Sequence, residues 1–238
     1  MTRSPATLPD LLPLRRDPAA PAVTFYDGST GERVELSGTT LANWVAKTAG
    51  FLVDEVEVGT RLRIGLPSHW LRPVWLLAAW SVGAVVVDRD AAVGLSGPEL
   101  VADEPVRLAA SLRPLGGPFA EPPAGFVDVA REVPGQPDVF VALDPPAPTS
   151  PALDLAAAAP RPVRLDHAGL LAAAPADDAR LLLQDADLVT EAIRLVAALS
   201  GAGSLVLVVR TEPEAVARIA EQEQARIPTD DPLDSSRP

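Results

Sequence analysis

The chain has 238 residues, of which 47% are hydrophobic, and it carries 32 acidic against 20 basic side chains, a formal net charge of −12. This composition is typical of a globular protein, and the negative charge disfavours binding to nucleic acid and to anionic membranes, both of which favour clustered lysine and arginine. The lack of cysteine excludes disulfides, thiolate metal sites and cysteine nucleophiles, and two histidines leave little for a histidine-based metal site, so we expect no metal.

The N-terminal sequence MTRSPATLPDLLPLRRDP carries no recognisable targeting signal. It lacks the uninterrupted apolar stretch of a secretion signal, and no later window reaches the length of a membrane span without a charge or a proline. We therefore expect a cytoplasmic protein without a membrane partner.

The first elements predicted are two strands, a helix and a third strand. Residues 22–26 and 33–36 form the first two strands, joined by a turn at residues 27–29. One apolar helical face follows at the i, i+3, i+4, i+7 spacing: Leu41, Trp44, Val45, Thr48 and Leu52. Residues 61–66 then alternate between apolar and other side chains, which predicts a strand.

A second helix and a buried strand complete this unit. Pro67 and Ser68 predict a turn and the N-cap of a buried helix over residues 70–81, which Gly83 ends. Residues 84–87 form a continuous apolar run of the kind found inside parallel sheets. The alternation of strands and helices predicts an α/β fold, a mostly parallel sheet with helices on both faces.

The middle of the chain is rich in proline, and order returns after it. Residues 126–129 and 139–143 are predicted to be short strands, and prolines make residues 145–162 a long loop. The pattern beyond the loop predicts a helix over 165–174, a strand over 180–183, a helix with an apolar face at Leu188, Val189, Ala192, Ile193, Val196 and Leu199, a strand over 204–209 and a helix over 212–225.

These predictions divide the chain into four stretches. A first α/β part covers residues 1–143, a Pro/Ala-rich loop covers 144–162, and a second α/β part packed on the same domain covers 163–226. Residues 227–238 form a polar tail that contains proline, and we predict that this tail is disordered.

The stretch LRIGLPSHWLRPVWLLAAWSVGAVVVDRD, residues 62–90, resembles a segment of the adenylate-forming, AMP-binding enzymes (acyl-CoA synthetases and relatives) that reads roughly V-A-I-x-L-P-N-S…A-x-x-K-A-G-A-V-x-V-P-x-D. The matching residues are Gly83, Ala84, Val85 and Asp88, with Pro67 and Ser68 nearly matching. Upstream, residues 21–64 resemble the family's opening hairpin, first helix and G-D-R-V turn, with Thr60 in place of the aspartate. The resemblance implies the first half of the family's large N-terminal domain.

The family's phosphate-binding loop, T-S-G-T-T-G-x-P-K-G-V…H-x-x-L, has a counterpart in outline only. Alignment of Arg161 and His167 with this motif puts residues 153–158, Leu-Asp-Leu-Ala-Ala-Ala, where the glycines and hydroxyls should be. An alternative register uses Thr149 and Ser150, but prolines flank this pair. The resemblance thus marks Thr149, Ser150, Arg161 and His167 as remnants of a nucleotide site for ATP or AMP, while we expect no bound cofactor and no catalytic residue.

The resemblance continues to RLVAALSGAGSLVLVVRTEPEAVARIAEQE, which is similar to the family's segment after the loop. The later adenine and ribose motifs and the catalytic lysine of the C-terminal domain have no counterpart, and Lys47, the single lysine, lies in the first helix. We therefore expect a truncated and degenerate relative, similar to short bacterial proteins with weak similarity to AMP-binding enzymes.

Five other patterns have a structural and a functional interpretation. Ser68 and His69 lack the G-x-S-x-G context of a nucleophile, so we interpret them as a helix cap and an exposed first-turn histidine. His167 is interpreted as a helix-start residue, and residues 201–204 as a helix-to-strand turn rather than a phosphate loop. The acidic pair 103–104 is interpreted as solvated surface. Asp88 and Asp90 follow a strand, where α/β ligand sites form, and keep a ligand role open.

Three hypotheses for function follow. The first is a non-catalytic binding or regulatory module that acts with a protein partner or as a homodimer. The alternative is residual nucleotide or acyl-adenylate binding, or acyl-CoA synthetase-type ligase activity, which would use Asp88, Arg161 and His167 with a partner chain. The third is self-association that covers a face left open by the missing half.

Overall fold

Two β-sheets enclose a layer of helices in the computed structural model, which describes residues 4–15, 17–54, 57, 59–157, 161–230 and 232. In chain order the elements are β1 (Pro21–Asp27), β2 (Arg33–Ser37), α1 (Gly38–Leu52), β3 (Arg61–Gly65), α2 (Leu71–Ser81), β4 (Val85–Val87), β5 (Val93–Ser96), β6 (Val106–Ala109), β7 (Val127–Asp128), α3 (Val129–Glu132), β8 (Pro151–Leu155), β9 (Val163–Asp166), α4 (His167–Ala173), β10 (Arg180–Gln184), α5 (Leu188–Ser200), β11 (Ser204–Val209) and α6 (Pro213–Gln222).

The two sheets are mostly parallel. The smaller has the order β10-β11-β1-β2, in which only the hairpin of β1 and β2 is antiparallel. The larger has the order β7-β6-β5-β3-β4-β8-β9, in which only β8 and β9 are antiparallel. The predicted fold class, a mostly parallel α/β fold, is confirmed.

Four helices form the layer between the sheets. Helices α1 and α5 pack on the smaller sheet and α2 and α4 on the larger, and α2 contacts both α1 and α5. Helix α2 is buried on all sides, as its sequence predicts, and the fully buried rings of Trp75 and Trp80 lie within it. The indole N–H of Trp80 donates to the carbonyl of Ala152 at 3.1 Å and thereby joins α2 to β8.

Helix α6 covers the outer face of the smaller sheet, whereas charged side chains cover the outer face of the larger one. Arg61 and Arg63 share a sheet face with Val85 and Val87, as the strand register shows, and both valines are buried. Long arginine stems can cover apolar surface while the charged head stays in water. Arg61 forms an ion pair with Asp154 at 2.8 Å in this coat.

The same outer face holds Glu104, which the sequence placed on the solvated surface. The glutamate is 4% exposed and pairs with Arg63, so that interpretation is wrong. Its carboxylate lies over Gly94, where a Cβ atom would come within 2.3 Å of it. The glycine therefore makes the room in which the ion pair packs against the sheet.

Several elements differ from the sequence predictions in the proline-rich middle. Strand β8 lies inside the predicted loop, since Pro151 is its first residue, a position that proline tolerates. The helix predicted over residues 165–174 included Leu165 and Asp166, which belong to β9, and α4 instead begins at His167. Residues 139–143 form no strand with any described residue, because Phe140 packs against the core while Val139, Val141 and Leu143 face solvent.

Strands β5 and β6 were not predicted, and part of the tail can be described. The predicted disordered tail, 227–238, is described only at 227–230 and 232, where Asp230 pairs with Arg194 at 2.9 Å. Residues 231 and 233–238 lie outside the described part of the chain. Among the helices that can be described, none has both the length and the apolar character that crossing a bilayer requires.

A buried ion pair connects two helices of the layer between the sheets. Arg72 of α2 pairs with Glu191 of α5, and both side chains are 4% exposed or less. Ser68 donates to the same carboxylate at 3.0 Å, and the guanidinium also donates to the carbonyls of Leu66 and Ala186. Burial raises the pKa of Glu191, and Arg72 and Ser68 oppose this shift.

We expect Arg72→Met to lower the free energy of unfolding by about 3–5 kcal/mol, because it leaves Glu191 buried without a counter-charge. Urea denaturation at neutral pH measures this change. The double variant Arg72→Met/Glu191→Leu should recover most of the loss, since apolar residues often replace a buried pair at little cost. The exposed Arg164→Met is the control, with an expected effect of about 1 kcal/mol or less. Equal losses in the single and the double variant would contradict the assignment.

Candidate functional site

The four residues that resemble remnants of a nucleotide loop lie at two ends of one hairpin. Thr149 and Ser150 precede β8, whereas Arg161 follows the hairpin loop beyond the far end of that strand. A five-residue strand separates these ends by roughly 15 Å. Strand β9 returns to the start of β8, where the main-chain N–H of His167 donates to the carbonyl of Ser150 at 3.1 Å. The structure therefore places His167 beside Ser150 and far from Arg161.

His167 has a structural role in this arrangement. It is the first residue of α4, as predicted, and its side chain is fully buried. Its Nδ1 accepts a hydrogen bond from the main-chain N–H of Leu8 at 3.2 Å, which anchors the N-terminal segment on the domain. Burial lowers the pKa of His167 to about 4, so the ring is neutral at neutral pH.

The C-terminal ends of β4 and β8 carry carboxylates instead of groups that donate hydrogen bonds to a phosphate. The carboxylate of Asp88, which follows β4, accepts a hydrogen bond from the main-chain N–H of Ala157. Asp154 of β8 pairs with Arg61 and Arg164, and these hydrogen bonds lower the pKa of its carboxyl group. Residues 158–160 of the aligned loop lie outside the described part of the chain.

A cleft of about 670 Å³ lies between the two sheets, at the C-terminal ends of β1, β3, β5 and β11. Open α/β sheets bind ligands at this edge. We call it the strand-end cleft, and its lining includes Asp27, Leu66, His69, Pro98, Leu112 and Arg210. A volume of this size suits a small-molecule site.

Arg210 and Asp27 form the charged side of the strand-end cleft. Arg210 follows β11 with a φ of 49°, a left-handed conformation that costs energy for any residue other than glycine. This turn directs its guanidinium to both carboxylate oxygens of Asp27, which is itself 3% exposed. Burial of Asp27 would raise its pKa, but hydrogen bonds from Arg210 and Ser29 outweigh burial and hold it well below the usual range.

The end of β1 has room for this pair because Gly28 follows Asp27. A Cβ atom at Gly28 would come within 2.4 Å of the carbonyl oxygen of Arg210. The Asp27-Gly28-Ser29 turn that the sequence predicts is therefore also the support of the charged pair. Ser29 adds two hydrogen bonds to Asp27, from its main-chain N–H at 2.8 Å and from its hydroxyl at 2.7 Å.

His69 forms the inner wall of the cleft, and the prediction that it is exposed is wrong. It is 3% exposed, because its ring lies between Phe25 and Trp70 at centroid distances of 4.7 and 5.6 Å. Its Nδ1 accepts from the main-chain N–H of Leu71 at 3.2 Å. Burial, with the charge of Arg210 adding to it, lowers the pKa of His69 to about 4.

Ser68 is not the N-cap of α2, which the sequence predicted. Trp70 occupies that position without a side-chain capping bond, and the hydroxyl of Ser68 instead donates to Glu191. Ser68 and His69 therefore do not form a nucleophile and base pair. The turn predicted at residues 201–204 is confirmed, since α5 ends at Ser200 and β11 begins at Ser204.

Comparison with known proteins identifies the fold. An acyl-CoA synthetase of Brucella canis superposes with a TM-score of 0.72 at 15% identity, over 93% of this chain and 46% of that protein. A fatty acyl-CoA synthetase of Mycobacterium tuberculosis gives 0.68 at 14% identity, over 92% and 48%. The chain has part of the fold of an acyl-CoA synthetase N-terminal domain.

A curated relative is closer in sequence. A TIGR03089 family protein of Mycobacterium tuberculosis is 40% identical over 149 residues, 57% of this chain and 61% of that protein. No family model matches the chain. The chain thus spans about half the length of the synthetases and less than two thirds of this relative.

Sequence reasoning missed Asp27 and Arg210 as site residues. Asp27 is the last residue of β1 and Arg210 follows β11, two strands that were predicted, and polar residues at the C-terminal ends of parallel strands are the signal that points to a ligand site. Within the described ranges, no three potential metal-ligating side chains come together.

The two buried histidines predict how stability depends on pH. Both are neutral in the folded state down to about pH 4, whereas an unfolded histidine takes up a proton near pH 6.5. The unfolded chain therefore binds more protons between these values, and the free energy of unfolding should fall as the pH drops from 6.5 to 4, by up to about 1.4 kcal/mol per pH unit for each histidine.

Urea denaturation over this pH range measures the slope in the wild type and in His69→Phe and His167→Gln. Each variant should lose about half of the histidine contribution, and the difference between variant and wild type removes the part due to carboxylates. A slope that neither substitution changes would show that the rings are not neutral when buried.

Proposed function

We propose that the chain is a non-catalytic binding or regulatory protein built on part of the adenylate-forming fold. The observation that carries this proposal is the hydrogen bond between the main-chain N–H of Ala157 and Asp88. In the aligned motif, amides at this position would receive ATP phosphates. Here the amide of Ala157 already donates to the carboxylate of Asp88. A phosphate would have to displace this carboxylate from the amide and would then lie close to its negative charge.

Further charges and residue types support the same conclusion. Asp154 adds a second carboxylate at the adjacent strand end, although Arg61 and Arg164 partly neutralise it. Leucines, an aspartate and alanines replace the glycines and hydroxyls that would wrap a phosphate. The single lysine, Lys47, pairs with Asp138 beside α1 and supplies no charge at the loop.

The proposal includes a protein partner or a homodimer as the target of regulation, and a cytoplasmic location. The net charge of −12 argues against nucleic acid and membrane surfaces as partners. The alternative proposal is residual nucleotide or acyl-adenylate binding, or acyl-CoA synthetase-type activity with a partner chain. Its support is the fold together with Arg161, which the resemblance aligns with the lysine of the phosphate-binding motif.

Thermal-shift titration with ATP plus Mg²⁺, with AMP and with a stable acyl-adenylate analogue distinguishes the two proposals. We expect no saturable increase in Tm at millimolar ligand and no carboxylate-dependent exchange of pyrophosphate into ATP, since a ligand stabilises the fold only if it binds the folded state.

The matched variants for this experiment are Arg161→Ala and Arg164→Ala, on either side of the turn into β9. Saturable stabilisation by ATP that Arg161→Ala abolishes and Arg164→Ala preserves would overturn the non-catalytic proposal. It would identify the loop as a working nucleotide site.

A further inference from the structure

We propose that residues 139–143 pair antiparallel with the same residues of a second copy of this chain and so form a dimer. We call these five residues the docking segment. The inference deepens the proposed binding role and rests on it, because it names the partner as a second copy and assigns the surface through which that copy binds.

The side chains of the docking segment alternate between two environments. Phe140 packs against the core and Ala142 is half-buried. Val139, Val141 and Leu143 are instead exposed, by 77%, 78% and 100% respectively. An alternation of period two is that of a strand with one face on a core. The outward face of such a strand is ordinarily polar, whereas here it consists of three large apolar side chains.

The main chain of the docking segment is available for pairing. No N–H or C=O group of residues 139–143 makes a main-chain hydrogen bond with any residue that the structure describes. Valine and phenylalanine favour strands, and a row of unpaired main-chain groups in such a sequence is a template for another chain. The charges that usually protect an edge lie only at the two ends, at Asp138 and Asp144.

An apolar groove of about 340 Å³ lies beside the docking segment. Val139 and Phe140 line it together with Leu12 of the N-terminal segment and Val45 of α1. One surface therefore offers both a fully exposed apolar side chain, Leu143, and a groove that can receive one. A surface that carries both is complementary to itself under two-fold symmetry, in which each copy contributes the same residues.

The exposed side chains define the register of the pairing. With Val141 opposite Val141 of the second copy, Val139 lies opposite Leu143, and all the exposed side chains share one face. Leu143 of the second copy then lies beside Val139 and hence at the groove. A shift of one residue would place the exposed side chains opposite the inward-facing Phe140 and Ala142.

The charges around the docking segment favour a second copy over a partner selected by charge. The chain carries −12 overall, so two copies repel each other over most of their surface. The docking segment itself is uncharged, and Asp138 beside it pairs at 3.1 Å with Lys47, the single lysine of the chain. This face is therefore one at which two acidic copies can approach, and its apolar pattern matches itself.

The size of the contact predicts a weak dimer. Each exposed valine or leucine offers on the order of 100 Å² of apolar surface. The side chains of two copies therefore supply about 600 Å², to which the groove walls and the paired main chains add, against roughly 1,200 Å² for the smallest stable interfaces. We expect a reversible dimer whose population depends on concentration.

Sedimentation velocity over a protein concentration series from low micromolar to near-millimolar tests the proposal. We expect a reversible equilibrium between monomer and dimer at neutral pH. In the predicted register Asp144 of one copy lies opposite Asp138 of the other, so the two carboxylates repel. Dimerisation should therefore strengthen when the salt concentration is raised from about 0.05 M to about 0.5 M, because salt screens this repulsion.

Val141→Glu identifies the surface. It places two like charges opposite each other on the two-fold axis and should weaken dimerisation by about tenfold or more. Leu115→Glu is the matched control, because Leu115 is 77% exposed, lies in the loop between β6 and β7 and receives the same new charge. The control should leave the equilibrium unchanged. The Tm of both variants should match that of the wild type, since both side chains are exposed.

Asp144→Lys tests the register. The new ammonium group would lie opposite Asp138 of the second copy, so dimerisation should tighten by about threefold or more and should no longer strengthen with salt. Glu214→Lys on α6 is the control, because it changes the net charge by the same amount at an exposed position of another surface. It should have the smaller effect.

Several outcomes would overturn the inference. These are a monomer at every concentration, a dimer that Val141→Glu leaves intact, or equal effects of a variant and its control. A parallel thermal-shift titration with ATP separates this result from the proposed function. Stabilisation by ATP that depends on Arg161 contradicts the proposed function, whereas a monomer that ATP does not stabilise contradicts only the choice of partner.

Discussion

The buried pair of Arg72 and Glu191 is the charged contact that joins the helices of the two sheets. Arg72 comes from a helix that packs on the larger sheet and Glu191 from a helix that packs on the smaller sheet. A charge buried in this layer is tolerable only while its partner is present, so the pair fixes how α2 and α5 pack against each other. The hydroxyl of Ser68 and the carbonyl of Leu66 bind the same pair, which carries this constraint to the end of β3 and to the wall of the strand-end cleft.

The strand ends of this domain are therefore of two kinds, which differ in whether their polar side chains are bound by other groups of the chain. At β4 and β8, Asp88 and Asp154 are bound within the chain, by an amide and by arginines respectively. At β1 and β3, in contrast, the charged pair is partly exposed and the imidazole N–H of His69 has no partner in the part of the chain that is described. The two sets of strand ends therefore differ in how fully their polar groups are paired within the described residues.

Much of the fold follows from sequence periodicity, and the cleft does not. Helix α2 and strand β11 have clear apolar patterns and were predicted within one residue, and the predicted apolar face from Leu41 to Leu52 lies within α1. Strands β5 and β6 have four residues each, too few for a period, and they form because β3 offers an edge to pair with. His69 was assigned to the surface because its burial depends on the distant Phe25, and no local pattern reveals that contact. The resemblance of residues 62–90 to the adenylate-forming enzymes predicted the match of the chain to part of a synthetase domain.

The arginine coat on the outer face of the larger sheet has a consequence for how this surface meets other molecules. Parallel sheets are ordinarily buried on both faces. Here Arg61 and Arg63 lie over valines and pair with Asp154 and Glu104, so the valines are buried although, among the described residues, side chains and not a helix cover them. A second polypeptide could contact the valines only if the charged groups of these ion pairs lost their hydration. The arginine coat therefore hinders packing of another sheet on this face and protects against aggregation. Charged residues protect exposed strands in the same way.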